Sequence, residues 1–599
     1  MSENKIAKIP VASHGIHRHR YNYPWLSSIN FGDVMPCYIN TVRKGECDMP
    51  KGGVYSQLMP IAHNAFATGR YNFKGIFVPY KLVWRKWYAF DQQVQYLTNG
   101  VSSIPGTYPF IPDNVFSDAL IKKFGTADGT ASDYDVLSVS YDSQNTPIQG
   151  FFHFSDAGRR VLRIIGALGC MPLFDMDYTD TLNILPLMCY IKAFADYYYP
   201  NNYVGNSSYV KLGKFFDTDV IDFTSDAQAL CEALEICSLN FYENSVFDLA
   251  WDNPVSPNVS GVTPSVEIND ITNNAALGNG SSTAQVVTND ASEANSPSTG
   301  THKPSNGTPF VGGKASGTSS ASGVLTKYVI DSLSALSNWM KRRQLSGARL
   351  IDKFLVSRGI SLPNDSARIS YLLGQRNIEI SVSGVENNTD TNLGELAGRG
   401  IASSGDSPLN FECRPEDDGI FLIVVSPIPD ANFPILRDGF AIRKDFMDNY
   451  TAEYDKLGCA AVDKSIIQSS LDGYANHSLL HDQHPFGFLS QYWDEIQERP
   501  RLLGDFILRA RGAEELRAYH TFRILNPATT RYHSFDFIRM ADNEQYQRLF
   551  YSSEQENLML FIRWFGDQYK EKLPLGDSFE WDDDEFNRKV SVVIGGSQK

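Results

Sequence analysis

Residues 75–90 read GIFVPYKLVWRKWYAF: a short apolar run, a proline, then aromatic rings interspersed with three cations. Such a stretch can stack on nucleotide bases, lie along a membrane surface, or turn the corner from a strand into a buried helix. Ile76–Val78 reads as a strand that Pro79 ends, and Lys81–Phe90 as a helix. On that helix Val83, Trp87 and Phe90 share one face with Trp84 and Tyr88 beside it, while Lys81, Arg85 and Lys86 fall largely opposite. A membrane-surface helix would be longer and would not follow a strand directly. Burial is the commonest use of aromatic side chains, so the strand-to-helix corner is the expectation.

The chemistry of this corner pervades the chain. Its 599 residues allow one very large domain or several ordinary ones. Tyr (30) and Phe (36) together outnumber the 53 Lys and Arg, which tilts the expectation toward β-rich structure with long loops. A net charge of −16 argues against a protein that coats nucleic acid over its whole surface, and leaves room only for local basic patches. Eight cysteines are scattered without any CxxC pair, as expected of ordinary buried thiols in a reducing compartment. The stretch MSENKIAKIPVASHG lacks the apolar core of a secretory signal, and the longest apolar run, Ile420–Val425, is far too short to cross a bilayer. A soluble chain with no membrane insertion and no signal-directed export is expected.

Residues 1–20 read as a basic, His-rich N-terminal arm containing Lys5, Lys8, Arg18, Arg20, His14, His17 and His19. HGIHRHRYNYPW (14–25) mixes groups that neutralise phosphates and stack unpaired bases, and it reads equally as an exposed arm anchored by aromatics. Residues 21–252 and 325–599 read as one composite domain. Between them, residues 253–324 are rich in Ser, Thr, Asn and Gly, with Phe310 as the sole aromatic; they cannot bury a core of their own. Asp331–Gln344 reads as a helix with Leu333, Leu336 and Met340 on one face and its cations in the last turn. Ser346 can cap a second helix, apolar at Leu350, Ile351, Phe354 and Leu355, that runs through Arg358 and stops at Gly359. NIEISVSGV (377–385) alternates as a strand, GIFLIVVSPIP (419–429) reads as a buried strand, and a helix is expected near 544–570. Short strands, long connections and no internal repeat suit one elaborate antiparallel sandwich.

No segment carries legible catalytic chemistry. GTPFVGGKAS (307–316) resembles a phosphate-binding loop only superficially, because its glycine spacing is one residue too long and Ala315 stands where Ser or Thr should be. His477, His481 and His484 have helical spacing but no HExxH pattern, and Pro485 follows at once, so solvent histidines are favoured over a metal site. WDDDE (581–585) lacks the spaced ligands of a calcium loop. The chain reads as a non-enzyme without metal or cofactor.

The same corner carries a family resemblance. INFGDVMPCYINTVRKGECDM (29–49) followed by QLMPIAHNAFATGRYNFKGIFVPYKLVWRKWYAF (57–90) resembles the N-terminal part of the major capsid proteins of microviruses (Microviridae), particularly the gokushovirus type. In the same order, LNILPLMCYIKAFADYYYPNNY (182–203), WMKRRQLSGARLIDKFLVSRGI (339–360), YLLGQRNIEISVSGV (371–385), GELAGRGI (394–401) and FGFLSQYWDEIQERPRLLGDF (486–506) resemble later segments of that family. Lys81 stands where the family usually has Asn or Arg, and Met188–Cys189 where it has Arg–Ala.

The resemblance implies a mainly β fold: an eight-stranded antiparallel jelly roll with long inter-strand insertions that carry several helices. It implies a virion protein, assembled in a bacterial cytoplasm as a T=1 icosahedral capsid of sixty copies, by way of pentamers, around circular single-stranded DNA of a bacteriophage. It places 253–324 as a surface protrusion near the threefold axis, exposed for attachment to a host surface receptor. Because the chain is acidic, genome neutralisation would fall to a small basic DNA-packaging protein, with a DNA pilot protein as a further partner. Arg18, His19, Arg20, Lys341, Arg342 and Arg343 are the candidate nucleic-acid contacts. Two other readings stay open: a jelly-roll carbohydrate-binding or glycan-processing protein, and a cytosolic single-stranded DNA-binding protein.

Overall fold

The computed structural model describes residues 16–59, 69–98, 101–128, 136–141, 147–175, 178–200, 208–216, 223–242, 358–386, 396–403, 408–429, 439–443, 448–452, 459–462, 486–496, 538–540 and 558–571, with positions 335, 339, 354 and 355. The protein is mainly β, and its sheets are antiparallel. Among the described residues the main sheet has nine strands, eight of them along one path: β1 (Ile16–Ile29), β2 (Met35–Val42), β3 (Cys47–Leu58), β4 (Gly69–Pro79), β5 (Tyr371–Glu386), β6 (Leu396–Ser403), β7 (Gly419–Pro429) and β8 (Leu558–Glu571). Their hydrogen-bonded order is β1-β8-β3-β6-β5-β4-β7-β2, and the two-residue strand Leu409–Asn410 pairs with β3 off this path.

β5 divides the path into two halves. Its residues up to Ile380 pair with β4, and Ser381–Glu386 pair with β6. The halves face one another across a shared core: Val54, Leu558, Leu560, Ile562 and Trp564 come from one, and Cys37, Tyr71, Phe73, Phe421 and Ile423 from the other. Hydrogen bonds join the two halves across this core. Trp564 Nε1 donates to the Cys37 carbonyl oxygen at 2.9 Å, and the Ser56 and Tyr71 hydroxyls meet. Sheet pairing sets Trp564 opposite Gly52, where an added Cβ would lie 2.9 Å from the indole; the glycine makes room for the ring.

Strand sequences follow from how many faces each strand buries. GIFLIVVSPIP (β7) is buried almost throughout, because its second face packs under a helical layer. In that layer α5 (Leu185–Tyr197) packs on β4 and β7, and α3 (Asp113–Phe124), α4 (Asp156–Ala167) and α7 (Phe223–Ile236) share one apolar core with it and with Ile76, Val78, Ile420 and Leu422; the short α6 (Ser208–Lys211) runs into a 3-10 turn, Gly213–Phe216, that touches α5. β3 and β8 bury one face only and alternate: Lys51 and Tyr55 are exposed between buried Gly52, Val54 and Ser56. Two connections hold nearly everything else, residues 80–370 after β4 and 430–557 after β7. They leave opposite ends of the sheet, since Pro79 pairs with Gly419 and Gly69 with Pro429. They meet again where Tyr242 N donates to the Ile538 oxygen and Met540 N to the Asn240 oxygen.

The opening stretch is a strand-to-helix corner, but the helix is broken. α1 spans Tyr80–Val83 and α2 spans Trp87–Asp91, with Trp84 extended between them at φ −140° and ψ 104°. The break turns the Trp84 ring inward, 3% exposed, to pack on Trp87, Phe90 and Tyr108 at centroid distances of 6.0, 5.0 and 6.0 Å. Lys81 pairs with Asp417 at 2.5 Å, and the Tyr88 hydroxyl donates to the same carboxylate at 3.0 Å.

Two further expectations need correction. The helix expected near 544–570 is strand β8 from Leu558 onward. The arm expected over 1–20 is strand from Ile16, because β8 runs far enough to pair with it as far as Glu571. The expected strands at 377–385 and 419–429 are present, the first as part of a longer β5. Of the expected helical pair, Ala335, Trp339, Phe354, Leu355 and Arg358 are described; all are helical, and Trp339 and Leu355 are half exposed. The insertion 253–324, the three spaced histidines, GTPFVGGKAS and WDDDE lie outside the described residues. Among the described side chains seven cysteines are free thiols, all but Cys47 buried, and burial pushes Cys170 up to about 11 and Cys231 up to about 12.

Candidate subunit-contact and nucleic-acid surfaces

Arg18, His19 and Arg20 sit on β1, the strand at one end of the path, opposite Tyr569, Gln568 and Asp567 of β8. Strand alternation puts Arg18 and Arg20 on one face and His19 on the other. Arg18 grips Asp567 with two bonds, Nε at 2.7 Å and Nη2 at 2.6 Å, and Arg20 Nε reaches the same carboxylate at 3.4 Å. The Arg18 guanidinium holds the Asp567 carboxyl below the usual carboxylate range. The arginine side chains stay 46% and 76% exposed, so the pairing fixes them in place without removing them from solvent. Lys341, Arg342 and Arg343 lie outside the described residues.

Arg18 and Arg20 open onto a larger surface, the solvent-side face of β1, β8 and β3. Its rungs read across three strands as Ser28–Met559–Gln57, Leu26–Phe561–Tyr55, Pro24–Arg563–Gly53 and Asn22–Phe565–Lys51. Leu26, Met559, Tyr55 and Phe565 are 73%, 48%, 46% and 37% exposed. Arg563 lies between two aromatic rungs, and its Nε donates to Asn22 Oδ1 at 3.0 Å. Sequence reading missed this face because it lacked β8; once β8 is a strand, the alternation shows it.

A second exposed apolar surface lies on the helical layer. Phe110–Pro112 pairs with Thr181–Asn183, and beside this ribbon Phe110, Met171, Leu173 and Tyr178 are 44%, 44%, 63% and 39% exposed. The ribbon is rigidly tied. The buried Asp113 carboxylate accepts from Leu173 N at 3.2 and 3.1 Å, Asp113 N donates to the Asp180 oxygen, and Tyr178 OH donates to Asp180 Oδ2 at 3.0 Å. Apolar side chains held in place on a surface suit a packed partner rather than solvent.

Inside the sandwich, one polar cluster had no sequence signal at all. Asp48, 1% exposed, accepts from Tyr38 OH at 2.6 Å, Asn40 Nδ2 at 2.5 Å and Tyr21 OH at 3.3 Å, joining β1, β2 and β3. Burial raises its pKa, and the three donors oppose that rise. Lys570 reaches Asn40 Oδ1 at 3.1 Å and adds β8 to the cluster. Among the described residues no group of three or more His, Cys, Asp or Glu side chains is placed to hold a metal ion. Among them, too, no helix is long and apolar enough to cross a membrane. The chain matches no protein-family model and no curated protein, so its reading rests on its own residues and geometry.

Proposed function

We propose that the protein is a major capsid protein of the microvirus type, a jelly-roll subunit that closes with copies of itself into an icosahedral shell around single-stranded DNA. One observation carries this reading. Numbered in chain order, the strands pair β1 with β8, β2 with β7, β3 with β6 and β4 with β5. Such nested antiparallel pairing is what a jelly roll, a fold that viral capsid domains use often, would require, and it supports the reading.

The distribution of mass supports the same reading. Almost everything outside the sandwich is in two connections leaving opposite ends, and the first presents rigid apolar side chains at Phe110, Leu173 and Tyr178. A lateral contact between copies needs such surfaces, about 800 Å² per partner for a standard stable interface. The T=1 geometry, the packaging and pilot proteins, the virion location, and 253–324 as the receptor-facing protrusion belong to the same proposal and rest on the resemblance.

The test is the mass and shape of the purified full-length chain, by analytical ultracentrifugation and negative-stain microscopy. Pentamers or closed shells are expected. A chain that stays monomeric at high concentration, alone and with added single-stranded DNA, would overturn the proposal.

A further inference from the structure

We infer that the solvent-side face of β1, β8 and β3 is a binding platform for single-stranded nucleic acid, with Tyr55, Phe561 and Phe565 as stacking surfaces and Arg563 and Lys51 as phosphate contacts. This deepens the capsid reading and rests on it for the identity of the strand, the enclosed genome. The binding itself stands on the geometry of the face.

The composition of the face selects the ligand. From the Arg18–Tyr569 rung to the Ser28–Met559 rung it carries four cations, Arg18, Arg20, Lys51 and Arg563, and one carboxylate, Asp567. Four minus one leaves three positive charges on a chain whose net charge is −16. A local reversal of sign marks an electrostatic footprint for a polyanion. Aromatic rings interleaved with those cations supply sequence-tolerant π-faces, as on other sheets that bind unpaired bases. Duplex DNA keeps its base faces stacked inside and cannot use them.

Relief on the face is suited to bases. The rung between the two aromatic rows is Pro24–Arg563–Gly53, and a Cβ built on Gly53 meets nothing within 4 Å. Tyr55 and Lys51 therefore flank an open position on β3, with the Arg563 side chain beside it. Successive outward positions on a strand lie about 6.8 Å apart, which gives neighbouring bases separate seats. The apolar ribbon around Phe110 and Leu173 carries the carboxylates Asp113, Asp175 and Asp180, so its chemistry points to a protein partner instead.

The experiment uses the full chain and fluorescence anisotropy with a labelled oligo-dT strand and a labelled duplex of the same length. Oligo-dT is expected to bind at least tenfold more tightly than the duplex. Tyr55→Ala and Phe565→Ala each lower that affinity about tenfold, Phe565→Tyr retains it, and Arg563→Gln reduces the slope of log affinity against log salt by about 0.7. Bromouridine photocrosslinking of the unaltered protein maps to peptides containing Tyr55 or Phe565. No oligo-dT binding, equal affinity for the duplex, unchanged affinity in the alanine variants, or crosslinks confined to other strands would each overturn the inference. So would loss of self-association in these variants with DNA affinity intact, which would make the face a contact between copies. Shell formation, read separately by sedimentation, reports on the capsid proposal whatever the anisotropy shows.

Discussion

The indole nitrogen of Trp564 lies 2.9 Å from the carbonyl oxygen of Cys37, so the last strand of the sheet is bonded through the core to the second. Trp564 is 0% exposed and its ring packs on Tyr38 at 5.2 Å. Trp564→Phe keeps most of the packing but leaves the Cys37 oxygen without its donor, a cost of about 1–3 kcal/mol. Trp564→Ala adds a cavity and costs about 3–5 kcal/mol. Denaturant titration of the dissociated subunit is expected to give the order wild type, then Phe, then Ala.

Lys192 and Asp196 form a buried pair on α5 at 2.8 Å, and Asp196 also accepts from Ser370 N at 2.9 Å and Ser370 Oγ at 2.8 Å. This carboxylate ties the helical layer to the residue before β5. Asp196→Ala strands a buried ammonium and two donors and is expected to cost about 3–5 kcal/mol. Asp196→Asn keeps acceptor capacity and should fall between the two. Thermal melts of the three proteins, with soluble yield, check the order.

Asp48 gives a pH signature of unusual sign. Its pKa is raised in the folded chain, so the folded state binds the proton more tightly than the unfolded state does. Its contribution to stability is therefore greatest at acid pH and is lost as pH rises through the raised value. The difference in melting temperature between wild type and Asp48→Asn should shift in favour of the wild type as pH falls from about 6 to about 4. A difference that is flat over that range, or moves the other way, contradicts the assignment.

Asp567 carries the opposite sign. The Arg18 guanidinium lowers its pKa, so the pairing at the start of β1 is intact above the ordinary carboxylate range and lost as pH falls through the lowered value. Protection factors at His17–Arg20, corrected for the intrinsic pH dependence of amide exchange, are expected to fall in acid while those of Leu560 and Ile562 of β8 stay high. Arg18→Ala should produce the same local fraying at neutral pH.

The Phe110–Leu173 ribbon tests the contact surface. Phe110→Glu with Leu173→Glu places two charges where a neighbouring copy would exclude water, without touching the core. Sedimentation should show subunits smaller than the wild-type assembly and an unchanged thermal melt of the dissociated chain.

β7 and the central part of β5 were legible because their patterns admit one reading: an unbroken apolar run ended by prolines, and strict alternation. β8 was not. Leu558, Phe561, Ile562 and Phe565 fall at helical spacing, while Leu558, Leu560, Ile562 and Trp564 alternate, so one segment satisfies both periods. Pairing with β1, whose chain lies at the other end of the sequence, selects the strand. The corner at 80–91 was legible in kind but not in detail, since a continuous helix would leave Trp84 beside the buried face rather than in it. The site at Arg18 and Arg20 was visible as charge. That it continues as an aromatic platform was invisible, because Tyr55 and Phe565 are brought together only by a ladder joining β3 to β8.

Composition and local pattern alone thus determined a mainly β protein with buried thiols, an acidic chain with a basic patch near its start, and a strand-to-helix corner; these depend on side chains close in sequence. Tertiary structure decided which distant strands pair, and with that the order of the sheet, the buried Asp48 cluster and the composition of each exposed face. The physical reason is that a strand cannot satisfy its own backbone hydrogen-bonding groups until partners arrive, and the partners are chosen by packing across the core, which no local stretch of sequence encodes.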